Sequence, residues 1–111
     1  MDQLIDMAQN LGKAISQDQR TVQLKAAQEA VDADAQAGEL VTAYEQQMNK
    51  MNGLAQKNQP IEVADKTRLK ELEDQLAAHP LLSELMRRQV DFVDLMRKVK
   101  QAIDQQLHVQ V

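Results

Sequence analysis

Two histidines, His79 and His108, and no cysteine make up the imidazole and thiol inventory of this chain of 111 residues. The missing thiols exclude disulfides, thiolate metal sites, iron–sulfur ligation and cysteine nucleophiles together. No His-x-x-x-His or His-x-x-Glu pair is present to seed a metal site on one helix face. Asp104 and His108 stand four apart, which is a possible ligand spacing. A histidine near a helix C-terminus is explained equally well by the negative end of the helix dipole. His79 precedes Pro80, so capping or packing at a helix junction is expected of it rather than catalysis.

The carboxylate pairs Glu71/Asp74 and Asp91/Asp94 have helical i, i+3 spacing. General acid–base chemistry needs such groups desolvated with separated pKa values, and both pairs lie among charged neighbours. Ser16 and Ser83 are the serines, and neither falls in a nucleophile motif. Three glycines leave no Gly-rich phosphate loop, and Tyr44 and Phe92, the sole aromatics, cannot build a stacking platform for single-stranded nucleic acid. Arg87, Arg88, Arg97, Lys98 and Lys100 form the one basic concentration. At 100° per residue they spread round a helix, which fits a solvated face with local ion pairs better than an RNA contact. The net charge of −4, with ten acidic against five basic groups in residues 1–65, also disfavours phosphate neutralisation. No enzyme activity, cofactor or metal is expected, and nucleic acid is not an expected partner.

The elements that carry these residues are helical throughout. Gln, Ala and Leu dominate (17, 14 and 13 residues) against two prolines, and β-branched residues nowhere alternate with polar ones over a strand length. The expected fold is all-α, a single domain over residues 1–111, with four helices. Leu4, Ala8, Leu11 and Ile15 form the stripe of a first helix. Ser16 with Gln19 has the form of a capping box, placing a break or bend near residues 16–18, although the polar run there could also continue as helix. From Gln19 to Ala55 no proline or turn dipeptide interrupts the chain. The stripe Ala30, Ala33, Ala37, Leu40, Tyr44, Gln47, Met51, Leu54 follows coiled-coil spacing. One very long second helix of roughly 55 Å is therefore predicted, with Gly38 either tolerated or marking a bend. Asn52-Gly53 and Gln56–Pro60 read as a loop. A third helix with Leu69, Leu72 and Leu76 on one face follows, ending at Pro80, which suits the first position of a last helix.

A helix of that length outruns the rest of a small monomer, and the last helix carries two apolar sets. One is Leu82, Leu85, Phe92, Met96, Val99; the other, on a neighbouring face, is Leu81, Val90, Val93, Leu95, Ala102. An antiparallel, coiled-coil-like bundle that self-associates as a homodimer or larger oligomer is expected. Leu40, Tyr44, Met48, Met51, Leu85, Phe92, Met96, Val99 and Ile103 are the candidate interface residues. Methionines such as Met48, Met51, Met86 and Met96 suit core or oligomer packing, and also adaptable binding surfaces. No apolar run approaches the ~20 residues that span a bilayer, and the acidic, amphipathic amino terminus does not read as a signal peptide, so a cytoplasmic protein is expected.

The pattern resembles the YlbF/YmcA family of small, all-helical bacterial regulatory proteins over roughly residues 3–107. The matching features are Leu11-Gly12 and Ile15 in an opening amphipathic helix, and Asp34, Leu40, Tyr44 and Gln47 in a long helix. They continue with the polar loop Gln56–Pro60, then Leu69, Leu72 and Leu76 before a residue-Pro corner, and the closing segment LLSELMRRQVDFVDLMRKVKQAI. The resemblance implies a helical, self-associating protein that acts through an as yet unidentified protein partner. Some members form a complex that influences RNA processing by a membrane-associated endoribonuclease. Members of that complex have been associated with cysteine-held iron–sulfur clusters, a property that cannot be carried over to this chain. A chaperone-like or structural coiled-coil assembly is the alternative to an adaptor.

Overall fold

The computed structural model describes residues 2–108, and every regular element among them is an α-helix. They are α1 (Gln3–Gln17), α2 (Gln19–Asp32), α3 (Ala35–Gln56), α4 (Val63–Ala78) and α5 (Pro80–Leu107). The expected domain range of 1–111 thus extends past the described residues at residue 1 and at 109–111.

Five helices stand where four were expected, because the long second helix is two. Asp34 adopts extended backbone (φ −105°, ψ 113°), and its carboxylate accepts the Ala37 N–H at 2.8 Å. A short acceptor that satisfies an orphan N–H in this way starts a new helix, since the first four N–H groups of any helix lack internal partners. Gly38, the suspected bend, lies inside α3, and a Cβ added there would meet nothing within 4 Å. The break between α1 and α2 falls where a capping box placed it, with a different residue responsible. Asp18, not Ser16, caps α2 by accepting the Arg20 N–H at 2.9 Å, while the Ser16 hydroxyl donates to the Lys13 carbonyl at 2.7 Å.

Asn52-Gly53 does not open the loop; α3 runs through both residues. It stops where Asn58 takes a left-handed φ of 56°. There the Gln59 N–H donates to the Leu54 carbonyl at 2.9 Å and the Asn58 N–H to that of Ala55 at 3.1 Å. This is the Schellman arrangement, which needs a residue tolerant of positive φ just after the helix, and Asn is the commonest alternative to Gly. Pro80 occupies the first position of α5 as expected, and the preceding His79 takes the extended backbone that proline favours before it (φ −81°, ψ 120°).

The chain divides into two compact units. The central unit, Glu29–Glu84, contains α3 and α4, which pack antiparallel. Asp34 at the start of α3 lies near His79 at the end of α4, and Gln47 farther along α3 reaches back to Asp65 near the start of α4. Its buried apolar residues are Val31, Ala37, Leu72 and Leu82, with Leu72 only 1% exposed. Burying one leucine contributes ~1.5–3 kcal/mol. The terminal unit, Met1–Gln28 with Leu85–Val111, contains α1, most of α2 and most of α5. Its buried apolar residues are just Ala27 and Leu95 among those described.

Candidate interaction surface

The polar side chains are arranged for structure. In the terminal unit the Arg20 guanidinium grips Asp18 in bidentate fashion, Nε to Oδ1 at 2.9 Å and Nη2 to Oδ2 at 3.0 Å. Those bonds, with the Arg20 backbone N–H, outweigh partial desolvation and hold the Asp18 carboxyl at about 2. On α5, Asp94 accepts from Arg97 at 2.6 Å and pairs with Lys98 at 3.0 Å, and Arg97 first, then Lys98, lower its pKa. A general acid needs the opposite shift. Glu71 and Asp74 lie 3.8 Å from Arg68 and Lys70 on an exposed face of α4, and half-buried Asp91 lies 3.9 Å from half-buried Arg88. The basic concentration on α5 therefore sits among its own carboxylates, and Arg88 also donates to Gln23 of α2 at 2.8 Å.

In the central unit Asp65 is buried, and its carboxylate meets Lys50 Nζ at 2.8 Å, while Gln47 Nε2 donates to the Asp65 backbone carbonyl at 3.0 Å. The Lys50 bond, helped by a longer one that Gln47 Nε2 donates to Asp65 Oδ1 at 3.5 Å, lowers the Asp65 pKa against the desolvation that raises it. These contacts tie the end of α3 to the start of α4 beside the loop that joins them. His79 has the capping role expected of it: its Nδ1 accepts the Leu81 N–H at 3.3 Å at the start of α5. His108 lies past the last residue of α5 with a left-handed φ of 55°, so Asp104 and His108 do not share a helix face. Among the described residues no group of three or more His, Asp or Glu side chains could hold a metal ion. Nor is any helix long and apolar enough to cross a membrane.

The apolar side chains are distributed unevenly. Among the described residues twelve large ones are exposed, and eleven of these belong to the terminal unit, Val63 being the exception. On α1 they are Leu4 (74% exposed), Ile5, Met7 and Leu11; α1 has no buried residue at all. On α5 they include the stripe Met86, Val90, Val93 and, farther along, Met96, Ile103 and Leu107. Between α1 and the end of α5 runs an apolar groove of about 630 Å³, lined by Leu4, Met7, Ala8, Leu11, Ala102, Ile103, Gln106 and Leu107.

The nine candidate interface residues fall into two groups. Leu40, Tyr44, Met48 and Met51 lie half-buried on α3 in the central unit, and Leu40 lines a cleft of about 430 Å³ with Gln36, Gln75, Ala78, His79 and Pro80. Leu85, Phe92 and Val99 are half-buried on α5 in the terminal unit, while Met96 (37%) and Ile103 (48%) are exposed. Of the nine, Ile103 lines the α1–α5 groove. Sequence reasoning missed Leu4, Met7, Leu11 and Leu107. Leu4 and Leu11 were read as one stripe of a helix, a pattern that does not distinguish a face turned to the core from one turned outward.

A small all-helical protein with its polar groups engaged in caps and ion pairs, and with a broad apolar surface turned outward in one unit, belongs by class with the helical interaction proteins. The family model described as control of competence regulator ComK, YlbF/YmcA, matches residues 4–108. The chain belongs to the YlbF/YmcA family. Its fold is similar to that of a chain in the X-ray crystal structure of Bacillus subtilis RicA in complex with RicF. That match has a TM-score of 0.80 and 16% sequence identity, and it covers 91% of this chain and 90% of the other. No curated protein matches this sequence.

Proposed function

We propose that this chain is a non-enzymatic regulatory adaptor of the cytoplasm that acts by self-association and by helix-mediated contact with protein partners. Control of RNA processing is the activity to which its family resemblance connects it. The observation that carries the reading is the concentration of eleven exposed large apolar side chains among the described residues of the terminal unit. Exposed apolar clusters of this kind mark interaction sites in soluble proteins. The family description, as a control of a competence regulator, supports a regulatory role. The solved structure of similar fold is itself a complex of two proteins.

The test is affinity capture of the tagged chain from extract of its own cells, with and without nuclease, read by mass spectrometry. A stoichiometric partner that survives nuclease is the expected result. A broad spectrum of unrelated clients, or suppression of aggregation of unrelated proteins, would replace the adaptor reading with a chaperone-like one.

A further inference from the structure

The charges of the central unit are separated along the α3–α4 hairpin. All five of its basic groups, Lys50, Lys57, Lys66, Arg68 and Lys70, lie toward the end closed by the α3–α4 loop. Residues 29–49 and 71–84, the rest of the unit, carry nine acidic groups and no lysine or arginine. The order of residues conceals this polarity, because Lys50 and Lys57 stand where one helix ends and the other three where the next begins. Antiparallel packing brings them to one tip, where Lys50 meets Asp65 at 2.8 Å.

The other basic groups of the tip are weakly engaged. Lys57 and Lys66 have no ion pair among the described residues, and both are exposed. Arg68 and Lys70 approach Glu71 and Asp74 no closer than 3.8 Å in solvent, where ion pairs contribute little. No side chain caps the start of α4, so the positive end of its dipole adds to the same field. Val63, the exposed large apolar residue of the central unit, stands on one side of α4 with Lys66, Thr67 and Lys70. These four line a groove of about 440 Å³, which Glu71 and Asp74 close at its far end.

We infer that this tip is a docking surface for a short acidic segment of a protein partner, with an apolar side chain seated on Val63 and carboxylates against Lys57 and Lys66. The inference rests on the partner-binding function proposed above and names the chemistry of one contact. An apolar anchor ringed by charge of one sign is the arrangement that selects a partner of opposite sign. The extent of the charge limits the occupant to a short segment. Glu71, Asp74 and the acidic remainder of the unit oppose any anion that runs beyond the groove. A nucleic acid gains affinity by neutralising successive phosphates, and no aromatic residue lies between positions 50 and 70 to stack a base. A lipid surface would find Val63 as the single large apolar side chain to bury.

The experiment titrates the full chain into a fluorescent glutamate-rich peptide with a central leucine and reads anisotropy at low and raised salt. Saturable binding that weakens with salt is expected. Lys57→Glu/Lys66→Glu is expected to weaken it about tenfold, since each reversal replaces an attraction by a repulsion. Val63→Ser is expected to weaken it with the salt dependence unchanged. Lys25→Glu/Lys100→Glu makes the same change of net charge at exposed lysines of the terminal unit and is expected to bind as wild type. All six substituted positions are exposed, so helical circular dichroism should be retained. No binding by wild type, wild-type binding by either tip variant, or an equal loss in the terminal-unit control would overturn the inference. So would tighter binding of polyuridylate, or of vesicles of phosphatidylserine and phosphatidylcholine, abolished by the same tip reversals. The titration uses no extract, so its failure is distinct from failure of the adaptor reading, which is the absence of a nuclease-resistant partner in the affinity capture.

Discussion

Asp34 and His79 cap the starts of α3 and α5 and face each other while doing so. Asp34 Oδ1 accepts the Ala37 N–H that begins α3, and it lies 3.7 Å from Nε2 of His79. The other ring nitrogen of His79, Nδ1, accepts the Leu81 N–H that begins α5. Accepting at Nδ1 assigns the ring proton of the neutral imidazole to Nε2, the nitrogen turned toward the carboxylate. The break that ends α2 and the corner that ends α4 are thus stabilised at one place by two side chains.

Removing that carboxylate tests the first cap. Asp34→Ala is expected to lower unfolding stability by about 1 kcal/mol, the usual cost of deleting a short acceptor at a helix start. Asp34→Asn should retain most of it, because the amide oxygen can still accept from Ala37. Urea unfolding of the two variants beside wild type measures the difference.

Asp18 should leave a signature in acid. Its folded pKa of about 2 lies below the ordinary 3.8, so its contribution to stability is complete above pH 4. That contribution is lost as pH falls through about 2. A carboxyl titration by NMR is expected to place Asp18 near the lower value in wild type and to move it back toward 3.8 in Arg20→Gln. An Asp18 that titrates normally in wild type would show that the bidentate contact does not form in solution.

The centre of the hairpin core is Leu72, and its truncation should cost far more than that of an exposed apolar residue. Leu72→Ala is expected to destabilise by about 3 kcal/mol through lost burial and the cavity left behind. Val63→Ala, at a residue 79% exposed, should change stability by less than about 0.5 kcal/mol. Thermal unfolding of both variants makes the comparison.

Gly38 offers a gain. A methyl group there meets nothing within 4 Å, and the residue sits inside α3. Gly38→Ala is expected to stabilise the protein by about 0.5–1 kcal/mol by removing backbone freedom from the unfolded chain. A loss of stability or of oligomer mass would instead show that a neighbouring molecule packs against this glycine.

Much of the helical plan was legible. The stripe Ala37, Leu40, Tyr44, Gln47, Met51, Leu54 is the face of α3 that is buried or half-buried, and Leu72, on the expected face of α4, is at the core. The boundaries were read less well. Asn52-Gly53 is a strong turn dipeptide, yet α3 passes through it and closes at Asn58, where a left-handed residue satisfies two orphan carbonyls. Asp34 drew no notice as a cap, because the alanine-rich run around it has uniformly high helix propensity. A cap competes with continued helix by only about 1 kcal/mol, too little to be seen in a pattern of residue types.

Composition and periodicity by themselves determined that the chain is helical, that it lacks the side chains of thiol or histidine-cluster chemistry, and that it carries more apolar faces than a small core needs. These follow from residue type and spacing, which act locally along the chain. Which apolar face turns inward was decided by tertiary structure. Leu72 and Leu4 are both leucines on amphipathic helices, yet one is 1% and the other 74% exposed. The difference arises because the α3–α4 hairpin closes over the first, while the second lies on a helix with no buried residue. Periodicity defines a face, but only the packing of elements distant in sequence determines what covers it.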